Sequence, residues 1–119
     1  MTGLTIILIA TDAARARAAL TLAISQAALG GRVRLYAHEH AVTMLAPGVD
    51  DDGATLAAAG LPDRPALLAL AVDAGVTLIA CQTGLALAGL AIDALATGVI
   101  AGGLMGLLAE LDDDRLVTI

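Results

Sequence analysis

Val76-Thr77-Leu78-Ile79-Ala80, followed by Cys81-Gln82-Thr83-Gly84, sets the frame for the whole chain. The first five positions are aliphatic or β-branched and carry no charge, and Gly75 before them stops whatever precedes. A run this short reads as a buried strand rather than a helix. From Leu85 onward the pattern turns helical, so a strand feeds a helix and Cys81 stands at the strand's carboxyl end. Working backwards, Pro65 suits the first turn of a helix through Ala74, where its missing N–H costs nothing. Pro47 to Asp52 is a loop, and Ala41 to Leu45 a short helical turn. Arg32 to Ala37 alternates as a second strand. A long helix starts after Thr11-Asp12, either of which can cap it, and closes at Gly30-Gly31. Leu4 to Ala10 reads as a strand buried on both faces. Working forwards, Gly89 and Gly98 break the helical stretch, and Val99 to Ala101 forms a brief strand. A helix over Leu104 to Leu111, a turn at Asp112 to Asp114 and a strand over Leu116 to Ile119 complete the chain. Strand and helix alternate throughout. The expectation is one α/β domain over residues 1–119, a three-layer α/β/α sandwich on a mostly parallel sheet of about five strands.

The composition narrows what such a domain can do. Hydrophobic residues make up 59% of the 119 positions. A chain of this size buries a limited share of its surface, so the excess implies lipid or a subunit interface. Lipid is disfavoured. The longest charge-free run, Ala74 to Ile92, is bounded by Asp73 and Asp93 and broken by Gln82-Thr83-Gly84, so no membrane span is expected. On the long helix, Ala16, Leu20, Ala23, Ile24 and Ala27 make one apolar face, while Leu22 and Leu29 lie off it. Apolar residues on two sides point to a homo-oligomer. The net charge is −6, lysine is absent and the six arginines are scattered, which excludes a clustered nucleic-acid footprint. The same absence removes Walker-type phosphate binding and Schiff-base chemistry. No basic residue precedes the run Leu4 to Ala10, so it does not read as a secretory signal. A single cysteine forms no internal disulfide, and the cytoplasm is the expected compartment.

Cys81 is the candidate catalytic residue. A thiol between a buried strand and a helix N-terminus should lose its proton more easily than a free cysteine, whose pKa is about 8.5. Gln82, Thr83 and Gly84 are candidate donors to the sulfur or to a substrate, and Gly84 allows a close backbone approach. His38-Glu39-His40 follows the second strand. If the strand continues through it, both imidazoles point one way and a facial metal site is conceivable. Three candidate ligands are too few for a closed structural site, so no metal is expected, and His38 is assigned a supporting place beside the thiol. No cofactor is implied. Asp12 reads as a helix cap, and the aspartate runs Asp50 to Asp52 and Asp112 to Asp114 as solvated turns.

Ala80-Cys81-Gln82-Thr83-Gly84-Leu85-Ala86-Leu87-Ala88-Gly89-Leu90 resembles the cysteine segment of the DsrE/DsrF-like proteins, in which a strand-end cysteine opens a short helix that ends at a glycine. The Cys-Gln pair is similar to the DsrE2-type branch. Gly98 to Leu104 resembles the glycine-bounded segment before that family's last helix, and Tyr36 through Leu45 its turn after the second strand. The resemblance implies a flavodoxin-like architecture assembled as trimers or hexamers. It also implies sulfur trafficking, with Cys81 accepting sulfane sulfur as a persulfide and passing it to a partner thiol. The departures are His38-Glu39-His40 in place of the aromatic residues usual after strand two, Ala88 where some branches carry arginine, and the lack of a second cysteine. Two other readings stand beside it: an oligomer-forming module in which Cys81 only packs, and a small-ligand-binding domain, for which the chain shows no phosphate loop.

Overall fold

The computed structural model describes all residues, Met1–Ile119. Five strands, β1 (Leu4–Leu8), β2 (Val33–Ala37), β3 (Thr77–Cys81), β4 (Ile100–Gly102) and β5 (Arg115–Thr118), form one sheet in the order β4-β3-β2-β1-β5. Every pairing is parallel. The helices are α1 (Ala13–Ala28), α2 (Gly53–Ala58), α3 (Arg64–Asp73), α4 (Gln82–Ala88) and α5 (Leu104–Ala109), with a 3₁₀ helix over Glu39–Leu45 and a short one over Ile92–Ala94. The α/β class and the five-stranded sheet are those the alternation implies. Boundaries shift by one to three residues. Only α2 has no counterpart in the sequence reading, because Gly53 at its start reads as loop.

The register sorts the sheet into two faces. Leu4, Ile6 and Leu8 of β1 align with Val33, Leu35 and Ala37 of β2, and Leu78 and Ala80 of β3 continue the row. All are buried, under Ala16, Ala19, Leu20 and Ala23 of α1 and Leu67, Leu68 and Ala71 of α3. Gln26 of α1 is also buried and donates to the Thr2 carbonyl at 2.9 Å, while Ile24 and Ala27 of the expected face are only half-buried. The opposite face carries Thr5, Ile7, Arg34, Tyr36, Ile79 and Cys81. It is covered mainly by the six residues of α5. The third layer is therefore thin, and Ile100 on this face stays 52% exposed.

Topology then selects the place for a site. The connections leaving β1, β2 and β3 each run to the next strand along, whereas the one leaving β4 returns across the sheet through α5 to β5. In open parallel sheets a crevice forms outside the carboxyl ends where successive connections diverge. Those ends are Cys81 of β3 and Gly102 of β4, which are register partners.

The aspartate runs are not simply solvated turns. Asp50 takes both Arg64 Nε at 2.8 Å and Nη2 at 3.2 Å. The Asp114 side chain is 3% exposed and accepts from Arg32 Nη2 at 2.7 Å and from the Thr5 hydroxyl at 2.9 Å. Arginines far away in sequence bury these carboxylates, which a local reading of a turn cannot register. Asp12 caps α1 as expected, accepting from the Arg15 N–H at 3.0 Å.

Candidate functional site

Cys81 ends β3 and is at once the N-cap of α4. The helix starts at Gln82, three residues earlier than the periodicity from Leu85 suggests. Its first-turn N–H groups therefore converge on the sulfur, and the Gly84 N–H donates to Sγ at 3.4 Å. Burial pushes the Cys81 thiol up. The Tyr36 hydroxyl and the N–H groups of Glu39, Gly84 and Thr83 pull it down, and together they prevail, so the thiol lies below its ordinary value. For Tyr36, burial followed by its place beside the sulfur pushes the phenol up, which keeps the hydroxyl protonated and able to donate.

The one hydrogen bond to the sulfur is that of the Gly84 N–H, and the Tyr36 hydroxyl and the Glu39 and Thr83 N–H groups act on it from nearby. The Gln82 and Thr83 side chains, candidates from the sequence, are exposed and make no hydrogen bond to the sulfur. Both still line the cavity into which Cys81 opens. That cavity has a volume of about 140 Å³ and is walled by Tyr36, His38, Glu39, Gln82, Thr83 and Leu104, with Cys81 among them. Cys81 itself is 4% exposed.

Glu39 is the residue that sequence reasoning missed. Its φ is 51°, in the left-handed region that non-glycine residues rarely adopt. This turn folds its peptide over α4. A Cβ at Gly84 would lie 2.1 Å from the Glu39 carbonyl oxygen, so Gly84 serves a close backbone approach within the chain rather than toward a ligand. The same turn removes His38 and His40 from a common strand. His38 joins the Cys81 cavity, with its ring centroid 6.2 Å from that of Tyr36 and Nε2 3.5 Å from Glu39 Oε1, while His40 is exposed outside it. His38 Nδ1 is buried without a hydrogen-bond partner. No three acidic, histidine or cysteine side chains are grouped to hold a metal ion. The signal that could have marked Tyr36 is its place two residues before His38 on the Cys81 face of neighbouring strands, which becomes visible only with the register.

No protein-family model and no curated protein matches the sequence. Solved structures do match in shape, two of them over the full length of both chains. One is the YchN protein of E. coli, with a TM-score of 0.79 and 21% identity. The other is MTH1491 of Methanobacterium thermoautotrophicum, a protein of unknown function, with a TM-score of 0.70 and 16% identity. From its first strand to its last, this chain has the α/β fold of YchN.

Proposed function

We propose that the chain is a sulfur-trafficking protein that carries sulfane sulfur as a persulfide on Cys81 and hands it to a partner thiol. The observation that supports this reading is the set of donors around one sulfur at the mouth of a small cavity. The same donors that favour a thiolate favour the anionic outer sulfur of a persulfide. In the loading step the Cys81 thiolate attacks the outer sulfur of a donor persulfide. The donor's S–S bond breaks and the donor leaves as its thiolate. The outer sulfur is then bonded to Cys81, so the Cys81 sulfur is oxidised and the donor reduced. Unloading is the reverse, with a partner thiolate as the attacker. His38, Gln82 and Thr83 form the binding surface, and Tyr36 with the Glu39 and Gly84 peptides holds the sulfur. The work belongs to a cytoplasmic homo-oligomer, a trimer or a pair of trimers, meeting a sulfur-donor and a sulfur-acceptor protein.

Intact-mass analysis after exposure to a persulfide donor tests this. Wild type should gain the mass of one sulfur atom per chain, and Cys81→Ser should gain none. The low exposure of Cys81, 4%, favours a second reading, an interaction module with a packing cysteine. A thiol that alkylates only after unfolding, and takes up no sulfur, would put that reading first.

A further inference from the structure

Arg34 stands apart from everything around Cys81. It projects from β2 onto the thinly covered face, and its side chain is only 8% exposed. Nε and Nη2 donate to the Thr5 hydroxyl oxygen at 3.2 and 2.9 Å, and Nη2 also reaches the Leu107 carbonyl at 3.2 Å. Nη1 donates to no protein atom. The nearby carboxylate, Asp114, lies 3.7 Å from Nε and already takes Arg32 at 2.7 Å. Two guanidinium groups thus share one carboxylate. An almost fully buried arginine keeps an unused donor edge and a charge that is only half answered.

That arginine lines a cavity of about 190 Å³ between β3, β4 and α5, walled by Ile79, Ile100 and Leu107. Gly102, Gly103 and Gly106 form its rim. Gly102 has an internal reason to be glycine, since a Cβ there would sit 2.8 Å from Ile79 Cγ2. Gly103 is the N-cap of α5, where glycine is common, but Gly106 has no such reason. A Cβ on Gly103 or Gly106 would meet nothing within 4 Å, and neither has a positive φ. Gly106 even lies inside α5, where glycine is disfavoured. The chain leaves this space open although its own packing does not require it. An apolar-walled pocket with one convergent charged group is the usual form of a small-ligand site.

We propose that this cavity binds a small oxyanion of sulfate or thiosulfate size, with the free edge of Arg34 as its principal donor. The exposed Glu110 stands at the mouth and is not ion-paired with Arg34, so it opposes the anion and sets a limit on affinity.

Isothermal titration of the full chain with sodium sulfate and with sodium thiosulfate, at constant ionic strength, tests the site. We expect one saturable site per chain with Kd below about 5 mM. Gly106→Leu fills the open space without a backbone clash, so it should keep its fold and lose affinity at least roughly tenfold. Arg34→Met should lose binding likewise; should that variant not fold, Gly106→Leu decides alone. Glu110→Gln should tighten binding a few-fold. Absence of saturable binding to wild type up to about 20 mM overturns the proposal, as does Gly106→Leu binding like wild type. A Gly106→Leu chain that falls apart into single copies, with no anion binding in wild type, would show the cavity filled by a second copy, and also overturns it.

Discussion

The Cys81 sulfur sits between two opposing effects. Burial disfavours its charge, and four donors favour it, with the donors ahead. Tyr36 is the separable member of that set, because Tyr36→Phe removes one hydroxyl and leaves the ring in place. Alkylation of wild type by iodoacetamide, followed against pH, should show a thiolate forming below the range of a free cysteine. Tyr36→Phe should move that profile to higher pH and slow the reaction at neutral pH by roughly three- to tenfold, the worth of one ordinary hydrogen bond. An unchanged profile would remove Tyr36 from the site. The same shift has a sign in stability. A thiol with a lowered folded pKa binds fewer protons than in the unfolded chain. The stability it contributes is fully present above the unfolded pKa and is lost as pH falls through the folded one. Cys81→Ser should flatten that part of the stability profile.

Between elements, two close approaches hold the site's frame. The first is the 3₁₀ segment against α4, where the Glu39 carbonyl fills the space a side chain at Gly84 would need. Gly84→Ala should destabilise the fold by roughly 2 kcal/mol, read from chemical denaturation, and loosen the Glu39 N–H from the sulfur. A neutral Gly84→Ala would mean the turn relaxes freely. The second approach is the turn before β5 against β1, with Arg32 and Arg34 reaching over from the β2 side. Burial pushes the Asp114 carboxyl up, but the Arg32 guanidinium and the Thr5 hydroxyl, with Arg34 beyond, hold it below the usual carboxylate range. Its contribution is therefore present above about pH 4, the unfolded value, and disappears as pH falls through the lower folded value. Asp114→Asn, which leaves a buried Arg34 without a carboxylate, should cost about 3 kcal/mol at neutral pH and remove that acid dependence. These contacts also mark the limit of what the sequence discloses. The strands, the capped α1, the helix opened at Pro65 and the strand-end placement of Cys81 are legible from short-range periodicity and punctuation. The donors Tyr36 and Glu39 are not, because one depends on strand register and the other on a left-handed backbone that no glycine announces. Asp114 and Asp50 read as solvent-facing for the same reason, since their arginine partners lie elsewhere in the chain.

For the whole molecule the open question is where the apolar excess goes. No helix is long and apolar enough to cross a membrane. One sheet face is sealed by α1 and α3, but the other has only α5, and α5 turns apolar residues outward as well. Met105 is 86% exposed, and Leu108 and Ile100 lie open on the same side as Leu116 of β5. The pair read from the sequence, Leu22 and Leu29 on α1, is exposed too, but on the opposite side, where Leu70 of the neighbouring α3 is also exposed. A second copy packed on the outward side of α5, at Met105 and Leu108, would bury this patch while leaving the Arg34 cavity and Cys81 accessible, and a stable interface of this kind needs about 800 Å² from each partner. Light scattering at micromolar concentration should therefore find wild type as a trimer or a pair of trimers. Met105→Glu places a charge at the centre of the larger patch, where it would be desolvated without a partner, and should shift the population to smaller species by at least roughly tenfold in dissociation constant. Leu22→Glu tests the α1 face by the same logic. If only Leu22→Glu disperses the assembly, the interface lies on α1 and the thin layer over Arg34 and Cys81 stays open to solvent. A wild-type chain that remains monomeric would leave both patches exposed, and with them the oligomer would be lost as the account of this composition.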